Sequence, residues 1–419
     1  MVSNKFVFLQ QINTLKYILT QQKLAGAIDY QKNTLTTIDY GLQRENFSSI
    51  PQIDNFATIV TGIRRCGKST LLLQKMKNDK ESTFFLNFDD ILLSDFEASD
   101  FHRLHLELQK RKVTSLYLDE IQMIDKWEIF IHQLLRENYK IFITGSNSSL
   151  LSIEMSSHLT GRNLAFELFP FSYKEYLLYK NLSSNEDSAK EYLINGGMPE
   201  FVKTNQRMIL SQLVDDILLK DIAVRYQIKD FSSLRQMATY LLSNVGNYIS
   251  ANKLKGMFGL KAVSSIVDYM SFMENAYLFF FIPVFDYSLR VQQRNPRKIY
   301  CIDNGMISAV SQSFSSDYGH RLENLVFLHL RRKTKQIYYY KGVGECDFVA
   351  VSKQGEKTLI QVCSELNDFN MDRELNGMFE ALEFLSETEG KMITFNQKDV
   401  FTKDKKTIEV VPLHEFLMS

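Results

Sequence analysis

The sequence predicts an α/β fold: a parallel, doubly wound sheet in the first part of the chain, followed by a largely helical stretch and a second mixed α/β region. Three observations carry this prediction. Between about 51 and 170, short runs rich in β-branched, aromatic and aliphatic residues alternate with amphipathic helical patterns. A glycine-containing stretch, GIRRCGKST from Gly62 to Thr70, stands between the first such run and the apolar LLLQKM. A later run, SLYLDE, ends in two adjacent carboxylates, Asp119 and Glu120.

The elements follow in order. The first residues, MVSNKFVFLQQINTLKYILTQQK, read as an amphipathic helix without the apolar core or cleavage site of a signal peptide, and residues 1–50 form an N-terminal segment. Residues 51–170 hold the strand candidates ATIVTG (57–62), STFFLNF (82–88), SLYLDE (115–120), KIFITGS (140–146) and LAFELF (164–169). Residues 171–235 have helical spacing, punctuated by Pro170 and GGMP. Residues 236–300 read as helices ending in a β-rich run, and 301–419 as mixed α and β.

Composition narrows the function classes. The 419 residues are 45% hydrophobic, enough for sizeable cores, and 49 basic residues balance 49 acidic ones. No global positive field argues for non-specific nucleic-acid binding. The local basic run RVQQRNPRK (Arg290–Lys298) reads as a solvated loop, with a nucleic-acid face as the alternative. Cys66, Cys301, Cys346 and Cys363 form no CxxC pair, which argues against zinc and fits a reducing compartment. The most apolar later segment, AYLFFFIPVF, is too short for a membrane helix, so a soluble cytoplasmic protein with no membrane partner is expected.

The chemistry is densest in the glycine stretch. Gly62-Ile63-Arg64-Arg65-Cys66-Gly67-Lys68-Ser69 fits GxxxxGK[ST], and Thr70 extends it. Glycines let backbone N–H groups curl around an anion, and the helix that follows aims its positive end at the same place. Lys68 would neutralise the β- and γ-phosphates of ATP, and the Ser69 hydroxyl would ligate Mg2+. Cys66 reads as a small filler rather than a redox thiol; Arg64 and Arg65 face either phosphates or solvent. Asp119, at a strand end beside this loop, would assist the metal, and Glu120 would activate water; the alternative is a helix N-terminus with favourable charges. Ser146 and Asn147 end the fourth run and are candidates to sense the γ-phosphate, against an ordinary Ser/Asn turn. NFDD (Asn87–Asp90) either approaches the nucleotide or is a solvated turn. Arg162 either stabilises transferring charge, in cis or from a neighbouring subunit, or forms a simple salt bridge.

Together VTGIRRCGKSTLL, FFLNFDD, LYLDEIQMIDKWE, IFITGSNSSLLS, HLTGRNLAFELFPFSYKEYL, GGMPEFV, KIYCIDNGM, GHRLENLVFLHL and YYYKGVGECDFVA resemble a family of prokaryotic AAA-type ATP-binding proteins with a C-terminal domain of unknown function. The strand between the loop and the acidic pair resembles the additional-strand class of P-loop NTPase. The resemblance implies an AAA-like P-loop ATPase domain over 51–170 and places Arg162 in a GR element near the active site. Residues 171–235 would form a helical lid over the nucleotide.

LLSNVGNYISANKLKGMFGLKAVSSIVDYMSFMENAYLFFFIPVF, within 236–300, reads as a winged helix-turn-helix. Its third helix offers only Lys261, Ser264, Ser265 and Asp268 to DNA, so a scaffold or oligomer contact is preferred. The resemblance further implies that 301–419 has a restriction-endonuclease-like fold. Its metal site would fall on Glu323, Asp347, Gln361 and Cys363. Gln361 is a weak magnesium ligand and Cys363 lacks the required positive charge, so an inactive nuclease-like domain is expected. The reading is an ATPase that binds ATP and Mg2+ and changes conformation on a partner, as a homo-oligomer or with another protein. The alternatives are an ATP-gated DNA-binding or DNA-processing protein, and a non-hydrolysing switch.

Overall fold

The computed structural model describes residues 19–146, 161–310 and 318–419. The expected helix over the first residues falls largely outside these, and so does Asn147. The chain enters through α1 (Gln21–Thr34), whose first turn is capped by the Thr20 hydroxyl accepting from Lys23 N. Then come β1 (Ala57–Thr61), α2 (Lys68–Lys77), β2 (Thr83–Asn87), α3 (Phe101–Arg111), β3 (Ser115–Asp119), α4 (Trp127–Arg136), β4 (Lys140–Gly145) and β5 (Asn163–Glu167). The five strands pair in parallel in the order β2-β3-β4-β1-β5. β1 and β3 are buried along their whole length, which is why neither shows the strict apolar/polar alternation of a half-buried strand. β2, the strand that follows the loop in sequence, takes the sheet edge. It is β4 that stands between β1 and β3, and it brings its own tip between the loop and the acidic pair.

The next helices are α5 (Tyr173–Lys180), α6 (Glu186–Asn195), α7 (Pro199–Thr204) and α8 (Met208–Asp216), the last continuing into a π-helix over Ile217–Val224. Ser172 and Glu175 close a reciprocal capping box on α5, which makes the turn after Pro170 a firm helix start. Two further motifs of the sequence meet here. The Asp303 carboxylate accepts from Gly197 N at 2.6 Å and from Gly305 N at 2.9 Å. A Cβ on Gly197 would lie 2.2 Å from Phe171 O, and one on Gly305 2.2 Å from Asn195 O. GGMP and IDNGM are thus two halves of one close backbone junction.

The middle of the chain contains α9 (Phe231–Leu242), β6 (Tyr248–Ile249), α10 (Ala251–Leu254), α11 (Val263–Asn275), β7 (Phe279–Ile282), α12 (Leu289–Arg294) and β8 (Arg297–Cys301), with an antiparallel sheet in the order β6-β8-β7. α10 is shorter than its sequence suggests, because Gly256 and Gly259 follow with φ of +83° and +75°. The expected boundaries at 235/236 and 300/301 both fall inside elements, α9 and β8. The nearest element starts are marked by Asp230, whose side chain caps α9, and by Asp303, just ahead of the helix that begins at Asn304.

The last part comprises α13 (Asn304–Val310), α14 (Tyr318–Arg331), β9 (Gln336–Lys341), β10 (Glu345–Val351), β11 (Lys357–Val362), α15 (Met371–Leu385), β12 (Glu389–Thr394), β13 (Asp399–Lys403) and β14 (Lys406–Pro412). Its six strands run in the order β13-β14-β12-β11-β10-β9. One apolar core passes from Val60, Ile63 and Leu71 behind the glycine loop, through Ile217 and Met273, to Phe348 and Leu413. The parts are therefore fused through shared hydrophobic burial and are not beads on a string. No helix among the described residues is long and apolar enough to cross a membrane.

Candidate functional site

β1 ends at Thr61, and the chain turns through Gly62–Gly67 into α2. Gly62 has φ +151°, and a Cβ there would meet Leu168 O at 2.2 Å; Gly67 has φ +100°. Both positions need glycine, for the conformation and, at Gly62, for the close approach of β5's continuation. Ile63 and Cys66 are buried. The Cys66 thiol donates to Leu168 O, and burial pushes its pKa up, so it fills space and is not a reactive thiolate. Lys68 is 5% exposed, and its ammonium donates to Gly62 O and Ile63 O, each at 3.0 Å. Among the described residues these carbonyls are its hydrogen-bond partners, which holds a buried ammonium inside the glycine turn. Ser69 is exposed beside it and Thr70 half-buried.

The β3–β4 register ends with Leu118 opposite Ile143, and the next residues, Asp119 and Thr144, meet through their side chains. The Thr144 hydroxyl donates to Asp119 and accepts from Glu120 N, so one side chain orients both acids. Burial raises the Asp119 pKa, opposed by hydrogen bonds from Thr144 and Ser69 and by the Lys68 charge. Glu120 adopts φ +55°, and its carboxylate accepts from Gln122 Nε2. Burial, with Asp119 nearby, raises its pKa against the pull of Lys68. The set Lys68, Ser69, Asp119 and Glu120 thus converges as expected. It fits ATP with magnesium: a hydroxyl and a carboxylate for the metal, an ammonium for phosphate, and a second carboxylate of raised pKa for water.

Arg64 and Arg65 are both ion-paired to the helices that follow the sheet, Arg64 half-buried and Arg65 exposed. Arg64 forms a two-point ion pair with Asp221 of the π-helix, at 2.8 and 2.9 Å, and Arg65 reaches Glu200 and Asp216. Ser146 donates to the same Asp221 at 3.2 Å. NFDD is held from α1: Gln31 Oε1 accepts from Asn87 N, and Gln31 Nε2 donates to Asp90.

Arg162 requires a correction. Its carbonyl accepts from Ala57 N, at the start of β1, and its side chain is exposed. In a parallel sheet strand starts lie opposite the loop, so about 16 Å of strand separates Arg162 from the phosphate site. A role in cis is ruled out by position.

Three residues that sequence reasoning missed belong to the site. Arg44 donates from Nη1 to Cys66 O at 3.0 Å and pairs with Glu175. Thr144 was hidden inside the strand run, and Asp221 inside an apolar helix. Thr144 left a faint signal, as a polar residue one before the end of β4.

In the last part, Glu323, Asp347 and Gln361 also come together. Gln361 Oε1 accepts from Asp347 N, and its amide donates to Glu374. Cys363 stays aside, its thiol donating to Glu365 O. The centre is taken by Lys298, the residue expected in a solvated basic loop. It is 3% exposed, with Nζ 3.1 Å from Glu323, 2.8 Å from Glu345 and 2.7 Å from Asp347. β8 starts at Arg297, and strand alternation turns the next side chain inward. Among the described residues no cluster of His, Cys, Asp or Glu is set to hold a metal ion.

Comparison with known proteins gives a consistent placement. A family model described as an AAA domain matches residues 54–177, and a domain of unknown function, DUF8612, matches 186–317. The chain is 32% identical over 402 residues to the uncharacterized protein MJ1544 of Methanocaldococcus jannaschii, covering 88% of this chain and 90% of that one. It is 31% identical over 334 residues to an uncharacterized protein of Haemophilus influenzae, covering 74% and 83%. Among solved structures, a mutant RuvB of Thermotoga maritima aligns with a TM-score of 0.29 at 15% identity, covering 61% of this chain and 88% of that one. That likeness is too loose to carry any argument.

Proposed function

We propose, for a chain that belongs to one family with the uncharacterized protein MJ1544 and carries an AAA domain, that it is a magnesium-dependent ATPase driving a conformational change on a partner. The observation that carries the reading is Lys68, a buried ammonium resting on the carbonyls of its own glycine loop, beside Ser69, Asp119 and Glu120. Lys68 would bind and orient the phosphates. Ser69 and Asp119 would hold magnesium, which when bound supplies charge neutralisation between phosphate oxygens. Glu120, with its pKa raised by burial, is suited to take a proton from water. Thr144 fixes the spacing of both acids.

Two contacts support the idea that loop occupancy is felt elsewhere. The Thr61 hydroxyl, one residue before the loop, lies 2.8 Å from Tyr277 OH in the middle part. Glu167, at the end of β5, is ion-paired to Arg331 and Lys335 of the last part. The α9–β8 arrangement of helices and a three-stranded antiparallel sheet supports a winged-helix reading. The order α14-β9-β10-β11-α15-β12 supports a nuclease-like one. Lys298 compensates the carboxylates there, which favours a clasp between parts over cleavage chemistry. The DNA-processing alternative also loses Lys298 as a surface contact, because the residue is buried.

The test measures binding of ATP with magnesium, and hydrolysis, in the full chain. Wild type should bind and hydrolyse, Glu120→Gln should bind without turnover, and Lys68→Ala should do neither. Equal near-zero hydrolysis in wild type and Glu120→Gln, with binding intact, would favour the switch. Absence of magnesium-dependent ATP affinity in wild type would sink the reading.

A further inference from the structure

Arg64 is the third residue of the glycine loop, so its guanidinium belongs to the cradle itself. Its Nε and Nη2 meet the two carboxylate oxygens of Asp221 in a fork, the geometry with which arginine also takes a phosphate. The Ser146 hydroxyl, just past β4, donates to the same carboxylate. Asp221 is 8% exposed and bridges the loop and the strand tip through these bonds, on the side where Arg64 also feels the Glu120 charge. One acidic side chain thus engages two groups that an added phosphate would claim.

The segment that carries Asp221 is itself unusual. Ile217–Val224 is a π-helix of eight residues, a geometry that occurs mostly as single-turn bulges and often at functional sites. Its far end leads to Tyr226, whose ring stacks on Phe272 of α11 at 3.7 Å. Arg65 ties the flanking helices through Glu200 and Asp216, but those side chains are more exposed and contribute little.

We infer that Asp221 is a built-in competitor for the terminal phosphate of ATP: it holds Arg64 and Ser146 in the nucleotide-free protein and is displaced when the γ-phosphate arrives. This rests on the ATPase reading and deepens it. A carboxylate and a γ-phosphate cannot share one guanidinium at this spacing without strong like-charge repulsion. ADP, which ends at the β-phosphate, leaves the latch closed. Displacement frees the π-helical segment and, through Tyr226, reaches the middle part. Asp221 is therefore a positioning residue that makes the lid discriminate ATP from ADP.

The experiment is hydrogen exchange on the full chain without nucleotide, with Mg·ADP and with a non-hydrolysable Mg·ATP analogue. Both dissociation constants are measured on the same preparations. Exchange in peptides covering 217–224 should rise several-fold with the analogue and stay at the nucleotide-free level with ADP. Asp221→Asn should bind the analogue about tenfold more tightly, the worth of losing a charge-assisted competitor, with ADP affinity unchanged, and should exchange fast in 217–224 without nucleotide. Asp221→Ser gives the same reading if the amide retains the latch. If the analogue binds but exchange in 217–224 is identical in all states and both variants bind like wild type, the latch is wrong while the ATPase reading stands. If wild type binds neither nucleotide, both fall together.

Discussion

Arg44 and Glu175 form a buried two-point ion pair that joins the segment before the first strand to the first helix after the sheet. Nε lies 2.9 Å from Oε1, and Nη2 lies 3.0 Å from Oε2. The same guanidinium donates to Cys66 O in the glycine loop and to Phe169 O beyond β5. Burial pushes the Glu175 carboxyl up, and the Arg44 charge and hydrogen bonds more than offset this, leaving its pKa below the ordinary range. A residue 18 positions ahead of Gly62 thus fixes the outer wall of the phosphate loop.

Replacing Arg44 by Met should cost about 3–5 kcal/mol, the penalty for stranding one partner of a buried pair. Chemical denaturation would measure it. Adding Glu175→Gln should return a good part of that loss, because the uncompensated charge goes. A double variant as weak as the single would show that Arg44 acts through the loop carbonyls and not through Glu175.

Lys68→Met separates binding from stability. Removing a buried ammonium relieves desolvation, while two carbonyls lose their donor at about 1 kcal/mol each. Stability should stay within about 1–2 kcal/mol of wild type, and Mg·ATP affinity should fall below detection. A variant that unfolds would mean the ammonium holds the turn together by itself.

The sheet and the loop were legible in the sequence because buried parallel strands carry a continuous local signal, and GxxxxGK[ST] is local too. The observed strands differ from the expected ones by a residue or two at their ends. What stayed hidden depends on distant partners. Arg44 sits in the polar GLQRENF, which reads as a linker until Glu175 is beside it. Asp221 interrupts LLKDIAV, where a lone acid looks like an exposed helix position. Lys298 follows Pro296 and Arg297 in a basic run, and its acids lie 25 to 49 positions on. Arg162 was misplaced for another reason: it precedes a strand, and strand starts in a parallel sheet point away from the loop.

Lys298→Met should destabilise the protein by about 3–5 kcal/mol at pH 8, leaving the carboxylates of Glu323, Glu345 and Asp347 without their cation. Burial lifts the Asp347 pKa, Lys298 pulls it down and Glu323 adds to the rise; the net position is about 7. Without the lysine it moves higher still. A carboxyl with a raised folded pKa favours folding in its protonated form, so the deficit should shrink as pH falls from 8 to 6. Urea unfolding at both values would check this, and a deficit independent of pH would show that Lys298 contributes packing and not charge.

His329 should make stability fall on mild acidification. Burial lowers its pKa first, and the charges of Lys333, Arg332 and Lys174 add to the shift, bringing it to about 3. Its ring packs on Phe416 with centroids 4.7 Å apart, and its Nε2 lies 3.5 Å from Ser419 Oγ. In the unfolded chain the imidazole takes its proton near pH 6.5. Below that value the unfolded state binds a proton that the folded state refuses until about pH 3. Stability therefore drops as pH falls from 6.5, approaching ~1.4 kcal/mol per pH unit from this one group. His329→Gln removes the titration, so wild type and variant should diverge between pH 7.5 and 5.5, with the variant losing less. Denaturation midpoints that fall in parallel over that range would show that the folded protein takes up the proton as readily as the unfolded chain.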